Sequence, residues 1–76
     1  MEMTIGEIEA KAKRQGEKGL DVRTIWIDLE CTLGRALEAP EAQALQDGWR
    51  ASAPARRRRE QERDRAAAVE AAGRQR

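Results

Sequence analysis

The sequence predicts an all-α protein: a small helical hairpin or bundle with a charged, partly helical C-terminal tail. Three observations predict it. The composition favours helix, with 14 alanines and 38% charged residues against six glycines and two prolines in 76 residues. Apolar residues recur at separations of three and four, the spacing of one face of a helix. One segment, LDVRTIWIDLECTLGRAL from Leu20 to Leu37, holds eight of the fifteen large apolar side chains (Val, Ile, Leu, Met, Trp).

The first helix is expected over residues 5–15. Thr4 and Glu7 have capping-box spacing. Ile5, Ile8 and Ala12 then fall at i, i+3 and i+7, a narrow apolar stripe to which Met1 and Met3 can add. Gly16 and Gly19 bracket a turn that ends this helix and lets the chain reverse.

A long central helix is expected over 21–37, with Asp21 as N-cap. At 100° per residue, Val22, Ile25, Trp26, Leu29, Leu33, Ala36 and Leu37 share one broad face suited to the core of a bundle. Leu20, Ile27, Cys31 and Gly34 form a second, narrower stripe roughly opposite. Arg23 and Glu30 separate the two on one flank, Asp28 and Arg35 on the other. The second stripe, where Gly34 lets another backbone come close, is expected to be the self-association surface of a homodimer; the alternative is that another helix of the chain covers it.

A third, short helix is expected over 40–51, with Pro40 in its first turn and Ala42, Leu45 and Trp49 again at i, i+3 and i+7. Gly48 weakens its end. The expected core is therefore Ile5, Ile8, Val22, Ile25, Trp26, Leu29, Leu33, Leu37 and Leu45.

Residues 1–51 form the helical module, and residues 52–76 an Arg-, Ala- and Glu-rich exposed helix or disordered tail. Beyond Trp49, Val69 is the one large apolar residue. Arg56 with Glu60 and Arg58 with Glu62 stand four apart, each such pair adding about 0.2–0.5 kcal/mol to a solvated helix. The net charge of +1 hides a split: residues 1–49 carry −4 and residues 50–76 carry +5. An acidic folded part followed by a basic segment suggests two functional halves.

Catalysis finds little support. There is no histidine to serve as a base near neutral pH. Cys31 is the one thiol, so neither an intrachain disulfide nor a structural zinc site can be built. No cofactor or metal is expected, and the acidic carboxylate pairs read as solvated helix faces. The N-terminus lacks a signal-peptide pattern, and no apolar run approaches the roughly 18 residues needed to cross a bilayer. A cytoplasmic protein with no membrane partner is the expectation. Arg in preference to Lys, with abundant Ala, is what GC-rich coding gives, so a bacterial or phage source is expected.

The run Arg56 to Arg59 is the sharpest short motif. The stretch ARRRREQERDRAAA resembles the arginine-rich peptides of phage antitermination proteins, which bind RNA hairpins as helices. That resemblance implies phosphate contacts by Arg56, Arg57, Arg58, Arg59, Arg63 and Arg65. Read from the residues alone, Glu60, Glu62 and Asp64 interrupt the run and no aromatic lies nearby to stack a base. Trp49 and Arg50 join these arginines as candidate partner contacts, because tryptophan and arginine dominate interface energetics.

The function expected is thus non-enzymatic. The chain self-associates through the central helix and binds another protein of host or cognate origin, as a stoichiometric inhibitor, anti-activator or assembly adaptor. An RNA- or DNA-binding protein using the arginine-rich helix, and a structural subunit of a larger particle, are the alternatives.

Overall fold

In the computed structural model, which describes residues 2–74, the chain forms four helices in the order α1 (Ile5–Glu17), α2 (Val22–Leu33), α3 (Ala39–Ala51) and α4 (Ala53–Arg74), and no strand occurs among those residues. The first three make an up-down-up bundle. α1 and α3 run parallel, because Glu9 and Ala12 lie against Gly48 while Gly16 lies against Trp49 and Ser52. α2 runs the other way: its N-terminal approach meets the end of α3, where Trp49 Nε1 donates to the Leu20 carbonyl at 3.1 Å. Beyond its far end, Arg35 reaches both Glu2 and Glu41.

Local chemistry accounts for the helix starts. Thr4 Oγ1 accepts from the Glu7 amide at 3.1 Å, and the Glu7 carboxylate accepts from the Thr4 amide at 3.2 Å. Asp21 caps α2 by accepting from the Thr24 amide at 2.8 Å. Hydrogen bonding from Thr24, its side chain first and then this amide, holds the Asp21 carboxyl below its ordinary range. At the start of α3, Pro40 occupies the first turn and the Glu38 amide donates to Glu41 Oε1 at 2.9 Å.

The central helix expected over 21–37 is shorter than that. α2 stops at Leu33 because Gly34 adopts φ 71°, the left-handed conformation that glycine accepts without a Cβ penalty, and its amide closes the last turn on the Glu30 carbonyl. Residues 34–38 form a connection instead. Leu37 still packs against the core from that connection, and its amide donates to Glu30 Oε2 at 3.1 Å.

Ile8, Ala12, Ile25, Leu29, Ala44 and Leu45 form the buried core, with Leu33 also buried and Met3, Val22, Trp26, Leu37 and Trp49 packed around its edge. Met1, expected beside Met3 on the α1 stripe, lies outside the described residues. Ile5, expected in the core, is 45% exposed. It shares the stripe of Ile8, Ala12 and Gly16, the line that faces α3, but sits at the first position of α1, at the end of that line.

That line is a seam of small residues. Ala12 and Gly16 on α1 are four apart, as are Ala44, Gly48 and Ser52 on α3, so each set lies on one side of its helix. A Cβ built on Gly48 would stand 2.2 Å from the Glu9 carbonyl oxygen, and one on Gly16 would stand 2.8 Å from Ser52 Cβ. The two backbones can approach this closely only with glycine at both crossings. Gly48, which the sequence pattern places as a weak end of the helix, is instead its tightest contact.

α3 and α4 are separated by a single residue, Ser52, which is fully buried. Pro54 has no amide hydrogen to continue the ladder. The Trp49 carbonyl is satisfied there by Ser52 N, Ser52 Oγ and Arg56 Nη2. From Arg57 to Gly73 every residue of α4 is exposed. No helix among the described residues is long and apolar enough to cross a membrane.

Candidate protein-binding surface

α2 buries Ile25, Leu29 and Leu33 against its neighbours and leaves two other surfaces open. The first is a groove of about 370 Å³ between α2 and α3, lined by Val22, Arg23 and Trp26 from one helix and Gln46, Trp49 and Arg50 from the other. Both tryptophans of the chain are half-buried here. Their rings form apolar walls, while Arg23 and Arg50 place cationic groups at the edges. The Trp49 ring is held from two sides. Its Nε1 is tied to the Leu20 carbonyl, and the Arg56 guanidinium lies over its face at 3.7 Å from the ring centroid.

The second open surface is the outer side of α2. Ile27 is 53% exposed, Leu20 is 36% exposed, and Cys31 is exposed one turn beyond Ile27. No helix of the described residues covers this stripe. Gly34, expected to belong to it, has open space where a Cβ would stand, with no atom within 4 Å, but its left-handed φ gives it another role as the stop of α2.

The arginine run divides. Arg56 turns inward, donating from Nε to Ser52 Oγ at 2.9 Å and from Nη2 to the Trp49 carbonyl at 3.1 Å. Arg59 donates to the Lys18 carbonyl at 2.7 Å, tying α4 to the end of α1. Arg57, Arg58, Arg63 and Arg65 are exposed on the projecting helix. The pairs expected along α4, Arg56 with Glu60 and Arg58 with Glu62, are not among the close ion pairs of the described residues.

The strongest electrostatic node lies at the other end of the bundle, at a residue that helical spacing assigns only to a flank of α2. Arg35 grips Glu41 with two bonds of 2.7 and 2.8 Å and Glu2 with two of 3.1 and 2.8 Å. Arg35 holds the Glu41 carboxyl down at about 2, with help from the Glu38 amide, and lowers that of Glu2 too. The two carboxylates in turn raise the pKa of the Arg35 guanidinium. A second cross-link joins α1 to α2: Lys11 Nζ lies 3.0 Å from Asp28 Oδ2, and Gln15 donates to the same oxygen, so Lys11 and then Gln15 lower the Asp28 carboxyl. Both nodes bind elements to one another. Among the described residues no group of His, Cys, Asp and Glu side chains is placed to hold a metal ion.

No family model matches the chain, and neither a curated protein sequence nor a solved structure is detectably similar to it.

Proposed function

We propose that this chain is a non-enzymatic protein-binding module. It self-associates through the outer side of α2, by Leu20, Ile27 and Cys31, and takes an apolar side chain of another protein in the groove between Trp26 and Trp49. The roles that suit it are those of a stoichiometric inhibitor, an anti-activator or an assembly adaptor. The observation that carries this reading is that α2 is covered on one side only: Ile27, in mid-helix, remains 53% exposed beside a groove lined by both tryptophans. A helix at the centre of the segment richest in large apolar residues, yet with two apolar surfaces in water, gains by covering them. The arginines at the groove's edges favour a partner segment with acidic residues flanking its apolar anchor.

Molecular mass in solution tests the self-association. Sedimentation equilibrium at tens of micromolar is expected to give a dimer for the wild type and a monomer for Ile27→Glu, with unchanged helix content. A monomeric wild type, or a mutant that keeps the dimer mass, refutes it.

A further inference from the structure

The geometry points to an oxyanion site, able to take a phosphate group, in the recess of about 130 Å³ where α4 passes the end of α1. Arg56, Arg59 and Arg63 stand at i, i+3 and i+7, so successive turns of α4 bring their side chains to one side of the helix, and all three line the recess together with Gly19 and Glu60. Two of the guanidiniums are held in place. Arg56 is stacked on Trp49 and bonded to Ser52 and the Trp49 carbonyl; Arg59 is bonded to the Lys18 carbonyl. A guanidinium has five N–H donors. The bonds described use two of those of Arg56 and one of those of Arg59, which leaves a surplus of donors around the recess on groups whose orientation is already set.

The charge balance points the same way. Three guanidiniums face one carboxylate, Glu60, and Glu60 forms no ion pair with any of them within 4.0 Å. Gly19, at φ 97°, brings no side chain into the recess, and its amide is already bonded to the Gly16 carbonyl. The donors that remain are therefore arginine donors, whose planar forks match the oxygens of a phosphate. The recess suits a single phosphate group, either free or presented by a nucleic-acid backbone. No residue that lines the recess lines the groove or the outer face of α2; the two readings share only Trp49, a wall of the groove on which Arg56 is stacked.

Titration of inorganic phosphate into the full chain, with ionic strength held constant by sodium chloride and the arginine Nε–H signals followed by NMR, tests it. Saturable shifts are expected at Arg59 and Arg63. Arg63→Gln, at an exposed position that leaves the fold intact, is expected to weaken binding about tenfold, as loss of a charge-assisted contact does. Arg57→Gln removes the same charge from another side of α4 and is expected to cost less than about twofold, the scale of a screened, distant charge. Equal losses for the two variants, or no saturation by about 50 mM phosphate, overturn the site and leave only diffuse electrostatics. A short single-stranded DNA distinguishes the source. Tighter binding with the same dependence on Arg63 assigns the phosphate to a nucleic-acid backbone; no gain over inorganic phosphate assigns it to a free phosphate compound. DNA binding indifferent to Arg63 overturns the proposal.

Discussion

Replacing Gly48 with alanine sets two effects against each other. In an unencumbered helix the change stabilises by about 1 kcal/mol, because alanine loses less backbone freedom than glycine. At this crossing the new Cβ would lie 2.2 Å from the Glu9 carbonyl oxygen, whereas ordinary contact begins at 3.4 Å. The obstacle is backbone, so no rotamer change relieves it; α1 and α3 must separate by about 1 Å, a gap that forfeits a quarter to a half of the dispersion attraction across it. Ile8, Ala12, Ala44 and Leu45 all lose contact together, and overpacking of this kind costs about 1–3 kcal/mol. The net expectation, with the larger cost set against the helix-propensity gain, is destabilisation of about 2 kcal/mol, or roughly 10 °C in Tm for a chain of this size. Gly6→Ala is the control. It too lies in a helix, α1, nothing stands within 4 Å of its Cβ position, and it is expected to stabilise by about 0.5–1 kcal/mol. Thermal and urea unfolding followed by circular dichroism measure both. If Gly48→Ala melts at or above the wild type while Gly6→Ala gains as expected, the close seam between α1 and α3 is not present in solution.

Leu29→Ala, at a fully buried site, is expected to cost about 2–5 kcal/mol in urea unfolding, while Ile5→Ala, at a half-exposed one, costs under about 1 kcal/mol. Acid unfolding reads the Arg35 node. A carboxyl held down at about 2 contributes stability that is complete above its ordinary value of 4.5 and is lost as pH falls from there towards 2; Glu41→Gln is therefore expected to lower Tm at pH 7 and to flatten its fall across that window. Trp49→Phe removes the donor to the Leu20 carbonyl and is expected to cost about 0.5–1.5 kcal/mol, with a larger shift in amide signals at Leu20 than at Leu45, read by NMR.

The parts of the fold legible in the sequence are those decided within a few residues. The Thr4–Glu7 box, the Asp21 cap and Pro40 in a first turn are local hydrogen bonds and a fixed φ, and the helix starts follow from them. The end of α2 is hidden because Leu37 falls on the helical spacing of Leu29 and Leu33, so the apolar pattern runs on through a glycine whose φ is positive. Once the helix stops at Leu33, Arg35 is free to leave its flank and reach Glu2, 33 residues away, a partner no local pattern names. Read alone, Gly16 marks a turn that ends the first helix at residue 15 and Gly48 a helix weakener, yet α1 continues through a buried Gly16 to Glu17; only the paired four-residue spacings, Ala12–Gly16 and Ala44–Gly48–Ser52, carry the signal that two helices meet there. In the candidate surface, the spacing along α2 distinguishes the side of Ile27 from that of Trp26, but the groove needs Trp49 beside Trp26, which is tertiary information. The arginine run looks uniform in sequence and is divided by helix side: Arg56 and Arg59, three apart on one side of α4, reach Trp49 and Lys18, whereas Arg57 and Arg58 stand on other sides.

The parallel pairing of α1 with α3 bears on how the molecule opens and closes. Its two tightest partners are not neighbours along the chain, since all of α2 intervenes, so no consecutive helix hairpin contains the glycine seam. Subglobal opening that detached either partner would expose the seam and most of the core at once. Amide hydrogens in the middle of α1 and α3 should then exchange with deuterium at one common, slowest rate, the signature of a single cooperative unit, while those beyond Glu60 in α4 exchange orders of magnitude faster. A protein this small would thereby have two levels of permanence: a three-helix knot that opens all together, and an arm that samples solvent freely while the knot stays shut.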